Sequence, residues 1–230
     1  MLFTHKATAL VVKNNYKKKF GFTLIELLAV ISLIAVLAGF LLPIVNKARD
    51  TGDRTKAANH LRQIALAYNL ALNDTHPSGL STGLTAHEAA LEIAQAGDFR
   101  DPSLFLIPGD PELVGRPAVH AIFSDATQKD LDSNFKATPL AYTIAVGVPI
   151  GSNGDTPIAW TRGLQTDGTW SKDSPYQGKG GHVAFLDGHV KWYSKTTNAF
   201  RNAQNKPTSN FTDALPATAK SVSANVPRVI

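Results

Sequence analysis

Two histidines, His182 and His189, are the residues of this chain best suited in type to hold a metal ion, and they lie on either side of an Asp-Gly pair. Zinc binds imidazole nitrogens at about 2 Å, so two ligands of one ion must lie close together. If both residues belong to paired strands, a rise of about 3.3 Å per residue separates them by roughly 13 Å. We therefore predict two exposed strand histidines that share no metal.

Aspartates are scattered through the loops of the second half, which raises the question of calcium. They are Asp110, Asp125, Asp130, Asp132, Asp155, Asp167 and Asp173, and their spacing does not follow that of a calcium-binding EF-hand loop. The chain has no cysteine, which excludes thiolate chemistry and disulfides. No serine-hydrolase elbow, phosphate loop or zinc-protease motif occurs. We predict no enzyme, no catalytic residue and no required cofactor, with calcium left open but without named ligands.

Two tryptophans, Trp160 and Trp170, lie near Asp167-Gly168 and allow two interpretations. Aromatic rings on a surface can stack against sugars, whereas large apolar side chains more often pack in a core or at a strand edge. The second interpretation is favoured.

A single carboxylate, Glu26, interrupts the apolar run of residues 20–45. An unpaired charge inside a bilayer costs several kcal/mol or more. The stretch from Phe22 to Val45 has about 24 residues, enough to span a hydrocarbon core of roughly 30 Å. The preceding segment, Met1–Gly21, contains several lysines and no acid. This pattern predicts a transmembrane helix over 22–45 with its N-terminus in the cytoplasm. The alternative is a plain signal anchor with a stray glutamate near the interface.

The same stretch resembles the N-terminus of type IV prepilins and type II secretion pseudopilins. In that family a basic leader ends in Gly, the next residue is usually Phe, and a Glu follows four residues later. Gly21, Phe22 and Glu26 match these positions, and Pro43 falls where the family's helix usually has a proline. The resemblance implies cleavage between Gly21 and Phe22 by a prepilin peptidase, N-methylation of Phe22, and an assembly role for Glu26. Glu26 would pair with the Phe22 ammonium of a neighbouring subunit.

The resemblance also implies a function and a set of partners. The chain would be a structural pilin or pseudopilin subunit of a type II secretion system or type IV pilus-like filament. Its partners would be copies of itself, other pseudopilins, the prepilin peptidase and an inner-membrane assembly platform. The domain after the helix would be periplasmic. The alternative is a membrane-anchored binding module, a minor pilin that recognises sugar, DNA or a secreted substrate.

Charge argues against nucleic acid as a partner. The whole chain has a formal charge of +5. Removal of the leader would take away Lys6, Lys13, Lys17, Lys18 and Lys19 and leave 18 basic against 18 acidic residues. A neutral mature protein lacks the basic surface excess that DNA binding requires.

The pattern after the membrane segment predicts an α+β, pilin-like fold. Apolar residues at helical spacing extend the first helix over 46–74. The sequence Thr85-Ala86-His87-Glu88 is a capping box and predicts a second helix that stops at Gly97. Short apolar runs at 119–123, 142–148 and 158–160 predict strands. We expect the long N-terminal helix to pack on a small antiparallel sheet, in a globular domain over 75–195.

The pair Asp187-Gly188 predicts a structural turn of two residues between paired strands. That turn would place Val183 opposite Trp192 and Phe185 opposite Val190, with all four on the core face. The hairpin resembles one that ends pilin-like proteins of planctomycetes and verrucomicrobia, where a His stands ten residues before the Asp. Gln177 occupies that position here.

The last segment, residues 196–230, is rich in Thr, Asn, Ala, Ser and Pro. A segment with few large apolar groups buries too little surface to offset its ordering entropy. The composition therefore predicts a disordered tail.

Overall fold

A computed structural model describes residues 21–224 and separates the chain into two units, Met1–Ala48 and Arg49–Ile230. Most of the predicted leader and the last six residues of the predicted tail lie outside the described residues. The helices are α1 (Leu24–Asp74), α2 (Ala86–Ala96) and α3 (Ser133–Lys136), and the strands are β1 (Tyr142–Val146), β2 (Pro157–Thr161), β3 (Gly181–Phe185), β4 (Val190–Tyr193), β5 (Phe200–Arg201), β6 (Pro207–Thr208) and β7 (Lys220–Val222).

The first unit contains the apolar part of α1. Within residues 21–224, α1 is the one helix long and apolar enough to cross a membrane. Its most apolar stretch has a mean hydropathy of 2.8 and is 0 % buried. Large apolar side chains that are all exposed to solvent indicate a surface that is covered by lipid or by other chains.

In the second unit, α1 presents one apolar face to the core. Its buried residues recur at helical spacing: Ala57, Leu61, Ile64, Ala65, Ala67, Tyr68, Ala71 and Leu72. Two tyrosines tie this helix to the sheet. The Tyr68 hydroxyl donates to the Ala145 carbonyl at 2.9 Å, and the Tyr142 hydroxyl donates to the Ala57 carbonyl at 3.3 Å. The second half of the helix is thereby fixed against β1.

The predicted capping box of α2 is present. The Thr85 hydroxyl accepts the Glu88 backbone N–H, and the Glu88 carboxylate accepts the Thr85 N–H at 2.7 Å. The helix ends at Ala96 with Gly97 as its C-cap, as predicted.

The main sheet is antiparallel with strand order β4-β3-β2-β1-β7. A long N-terminal helix with a small antiparallel sheet confirms the predicted α+β class. The predicted strand at 119–123 is wrong, because this segment contributes only an isolated bridge between Phe123 and Leu131. It lies between proline-rich loops and has no continuous partner strand among the described residues.

The prediction of a disordered tail from residue 196 is wrong for residues 196–224. This segment adds β5, β6 and β7, and β7 pairs with β1 in the main sheet. Phe200 and Phe211 are only 1 % and 8 % exposed. The Phe211 ring lies 4.7 Å from the Trp160 ring, centroid to centroid. Two buried aromatic residues and the pairing of β7 with β1 provide the apolar contacts and hydrogen bonds that order this segment. The average composition of the segment does not predict them.

A buried ion pair joins three distant parts of the second unit. The Arg162 guanidinium donates to both carboxylate oxygens of Asp110, at 2.8 and 3.0 Å. It also donates to the carbonyls of Leu140 and Asp173. Arg162 and Asp110 are 5 % and 1 % exposed. Burial raises the pKa of Asp110, and the Arg162 charge opposes that rise.

Candidate functional site

The residues predicted to flank the cleavage site are fully accessible. Among residues 21–224, none comes within 4 Å of the position where a Cβ of Gly21 would stand, and Phe22 is 80 % exposed. Both precede the first helical residue, Leu24. A peptide bond that is exposed and lies outside the helix is open to a peptidase.

Glu26 is held at the helix start by a residue that the sequence analysis did not single out. Its Oε2 atom accepts the Thr23 backbone N–H and the Thr23 hydroxyl, each at 2.8 Å. The Thr23 hydroxyl accepts the Glu26 N–H at 3.3 Å. This is a capping box with Thr23 as N-cap, and the Thr-x-x-Glu spacing was readable in the sequence.

The capping box leaves part of the Glu26 carboxylate available. Both Thr23 donors use Oε2, and Oε1 accepts no hydrogen bond from the residues that the structure describes. Cleavage after Gly21 would create an ammonium on Phe22, one residue before Thr23. The site can therefore present an oriented carboxylate oxygen and a new cation at the same end of the helix.

At the hairpin, the predicted turn has the right residues but the wrong length. Phe185 and His189 close the loop, with the Phe185 N–H donating to the His189 carbonyl at 3.0 Å. The loop thus contains Leu186, Asp187 and Gly188, and Gly188 alone has a positive φ, +88°. This arrangement is a three-residue loop with glycine in the left-handed position, instead of the predicted type I′ turn.

One extra loop residue shifts the strand register and changes the faces. Trp192 pairs with His182 instead of Val183, and Val190 pairs with Ala184. Val183 and Phe185 are buried as predicted, whereas Val190 and Trp192 are only half-buried. The prediction of two exposed histidines holds for His189 but is wrong for His182, which is 5 % exposed.

His182 belongs to an aromatic cluster under a cation. Its ring lies 4.8 Å from Trp192 and 6.0 Å from Tyr176, centroid to centroid. The Arg54 guanidinium carbon stands 4.2 Å above the Trp192 ring. Burial, with a smaller contribution from the Arg54 charge, lowers the pKa of His182 to about 4.

The protein is expected to lose stability in acid because of His182. The unfolded histidine titrates near 6.5 and the folded one near 4, so protons bind the unfolded chain first as the pH falls through this window. The full shift corresponds to about 3 kcal/mol. Denaturation of wild type and His182→Gln at several pH values should give a flatter profile for the variant. His189→Gln is the exposed control, and equal profiles for all three chains would contradict the assignment.

The two histidines have different neighbours. The His182 ring contacts Trp192 and Tyr176, whereas His189 lies near two acids, Asp155 and Asp187. One ligand atom each of Asp155, Asp187 and His189 lie within 4.8 Å of one another, and all three residues are exposed. Asp187 Oδ1 already accepts the His189 backbone N–H at 3.0 Å and lies 2.6 Å from its Nδ1. Exposed groups that pair with each other in this way are common without a metal ion.

The remaining predicted acids mostly have structural partners. Asp125, Asp132 and Asp167 each accept the backbone N–H of the residue two positions later, at 2.8 to 2.9 Å. Such contacts cap turns and short helices. Trp160 and Trp170 are 1 % and 6 % exposed, which agrees with the favoured packing interpretation.

The one apolar helix of residues 21–224, with its capped carboxylate, supports membrane anchoring of the chain. Residues 16–42 match the family model of the prokaryotic N-terminal methylation motif, so the N-terminus of the chain is similar to that of type IV prepilins. Comparisons with curated proteins and with solved structures find no match. The match covers the helix start and the predicted cleavage site and does not extend to the sheet.

Proposed function

We propose that the chain is a structural subunit of a pilus-like filament, in a type II secretion system or a related type IV pilus machine. The observation that supports this proposal most strongly is Glu26 itself. It is the single acid in the exposed apolar run of residues 20–45, and it lies four residues after Phe22, the residue that follows the predicted cleavage site. An anchor that only held the protein in a membrane would gain nothing from this charge.

In this proposal the precursor waits in the inner membrane with its leader in the cytoplasm and its second unit in the periplasm. A prepilin peptidase cleaves between Gly21 and Phe22 and the new amine is methylated. An inner-membrane assembly platform then transfers subunits, with other pseudopilins, into a helical fibre. A separate cytoplasmic ATPase supplies the force.

The chemistry of assembly would be the neutralisation of charge in an apolar setting. When a subunit leaves the membrane surface and joins the fibre, its Phe22 ammonium enters the helical core of the fibre. The free oxygen of Glu26 on a neighbouring subunit can accept a hydrogen bond from that ammonium. This pairing lowers the free-energy cost of burying both charges inside the fibre. Thr23 keeps the carboxylate directed towards the helix start and fixes where the pair forms.

Shearing of cells that co-express the chain with a peptidase and an assembly platform tests the proposal. Fibres in the sheared fraction should contain the chain, as detected by immunogold labelling, and should vanish when the peptidase is removed. A processed chain that remains entirely in the membrane would contradict the filament role. That result would favour a membrane-anchored binding module.

We also propose that the fold needs no bound metal. Incubation of the full chain with a chelator is expected to leave the melting temperature unchanged, because Asp155, Asp187 and His189 are exposed and two of them, Asp187 and His189, already contact each other. The measurement compares melts in chelator and in calcium. A calcium-dependent rise in melting temperature that disappears in Asp155→Asn would show a calcium site instead.

A further inference from the structure

The loop between β1 and β2 contains the one Asn-Gly pair of the sequence, Asn153-Gly154. Asn153 is exposed, and its Oδ1 atom accepts the Asp155 N–H at 3.0 Å. Its carbonyl accepts the Thr156 N–H at 2.8 Å, so residues 153–156 form a tight turn. The side-chain amide is thereby folded back along the main chain, beside the peptide nitrogen that it precedes.

The Gly154 nitrogen in this turn is available as a nucleophile, because its N–H makes no hydrogen bond to any of residues 21–224. The pairs Asp167-Gly168 and Asp187-Gly188 form similar turns, in which the aspartate Oδ1 accepts the N–H two residues later. Their glycine N–H groups are engaged, however, and donate to the carbonyls of Gln165 and Phe185 at 3.0 and 2.9 Å. In the described part of the chain, Asn153-Gly154 is thus the one pair of this kind with an uncommitted glycine nitrogen.

The Asn153 side chain also supplies the better electrophile. A carboxylate is negatively charged and resists a nucleophile, whereas the carbon of a neutral amide accepts one. When a nitrogen adds to Cγ, negative charge develops on Oδ1, and the Asp155 N–H already donates to that atom. The turn therefore holds a donor where charge develops, as an oxyanion hole does. Gly154 has no side chain that would hinder the approach of its nitrogen.

We propose that Asn153 is a site of spontaneous deamidation. The Gly154 nitrogen loses its proton to solvent base and forms a bond to Cγ, the bond from Cγ to Nδ2 breaks, and ammonia leaves with a proton from water. The resulting five-membered succinimide then adds one water molecule. Breaking the new bond to Cγ gives aspartate, and breaking the original peptide bond gives isoaspartate. The net reaction consumes one water and releases one ammonia, without an enzyme.

Deamidation would act on contacts that hold the β3–β4 hairpin. The Gly154 carbonyl accepts the Asp187 N–H at 3.0 Å, and the Thr156 carbonyl accepts the Leu186 N–H at 2.9 Å. Isoaspartate adds one carbon to the main chain directly before Gly154 and so displaces that carbonyl. Either product adds a negative charge to a loop that already contains Asp155. The hairpin is therefore expected to loosen as the chain ages. This modification is separate from filament assembly, because it uses no residue of the first unit.

Incubation of the full chain in detergent, at several mildly acidic and mildly alkaline pH values, tests the proposal. Mass spectrometry of the tryptic peptides should show a gain of about 1 Da at Asn153, with aspartate and isoaspartate forms that separate on chromatography. The rate should rise in proportion to hydroxide, because the attacking nitrogen must lose its proton. Asn205 is the internal control, since it is exposed and the N–H of the following residue donates to Asn202 at 2.9 Å. It should remain an amide over the same period.

Asn153→Gln is the matched variant, because it keeps a side-chain amide but would require a six-membered ring. It should melt as fresh wild type does and stay unconverted. Aged wild type should melt at a lower temperature, by an amount that grows with its isoaspartate fraction, whereas aged Asn153→Gln should not change. An Asn153 that stays an amide, or that converts no faster than Asn205, would overturn the proposal. An unchanged melting temperature in a chain that is mostly isoaspartate would overturn the effect on the hairpin.

Discussion

Glu26→Ala is expected to abolish filament assembly and to leave membrane insertion intact. The substitution removes a polar group from an apolar helix, so insertion should be as good as or better than in wild type. Assembly would bring the Phe22 ammonium into the fibre without its carboxylate partner. An uncompensated buried charge costs about 3–5 kcal/mol, more than a hundredfold in an assembly equilibrium. The measurement compares chain in the sheared fraction with chain in membranes.

Thr23→Val is the matched control at the same site. It removes one hydroxyl from the Glu26 carboxylate but keeps the charge, so a smaller loss is expected, of about 1 kcal/mol. Glu26→Gln keeps the shape and removes the charge, and should resemble Glu26→Ala. Equal fibre yields for Glu26→Gln and wild type would contradict the pairing argument.

Arg162→Met is expected to destabilise the second unit by about 3–5 kcal/mol, because it leaves the Asp110 carboxylate buried without its cation. The three tryptophans of the chain, Trp160, Trp170 and Trp192, all lie in this unit, so their fluorescence reports its unfolding. Urea denaturation of the full chain in detergent would measure the difference. The double variant Asp110→Leu with Arg162→Met should recover part of the loss, since neither charge is then left alone.

Arg100→Met is the control for this ion pair. Arg100 lies 3.8 Å from Asp98, and both side chains are largely exposed. Exposed pairs contribute roughly 0–1 kcal/mol, so the midpoint should hardly move. If Arg100→Met and Arg162→Met destabilised the protein equally, burial would not be the cause.

Local chemistry made parts of this structure readable from the sequence. The Thr85–Glu88 capping box needs only four consecutive residues, and it forms as predicted. The long helix follows from its apolar pattern over many turns, and Glu26 is conspicuous because a single charge conflicts with its apolar surroundings. The same Thr-x-x-Glu pattern occurs at Thr23 and Glu26, so the sequence also predicts the capping box at the start of α1.

Features that depend on distant contacts were not readable. Loops of two and three residues can both carry Asp-Gly, and tertiary contacts distinguish them. The Asp187 N–H donates to the Gly154 carbonyl at 3.0 Å, and the Leu186 N–H donates to that of Thr156 at 2.9 Å. These bonds fix the three-residue loop, and the resulting register places Trp192 opposite His182, where its ring contacts the imidazole. The Asp110–Arg162 ion pair could not be predicted from the sequence either, because 52 residues separate its two members along the chain.

The C-terminal segment shows why average composition fails here. Its few large residues include Phe200 and Phe211, which are buried against the sheet. Composition predicts how much apolar surface a segment has. It does not predict whether the rest of the fold offers a sheet edge or an apolar surface against which the segment can pack. The free edge of β1 supplies that place, and β7 occupies it.

Mass spectrometry of the chain purified from native membranes tests the central claim most directly. We predict that the N-terminal residue is Phe22, carrying one additional methyl group, and that the lysine-rich leader is absent. An N-terminus at Met1 in wild-type membranes, in cells that process their other prepilins, would contradict it.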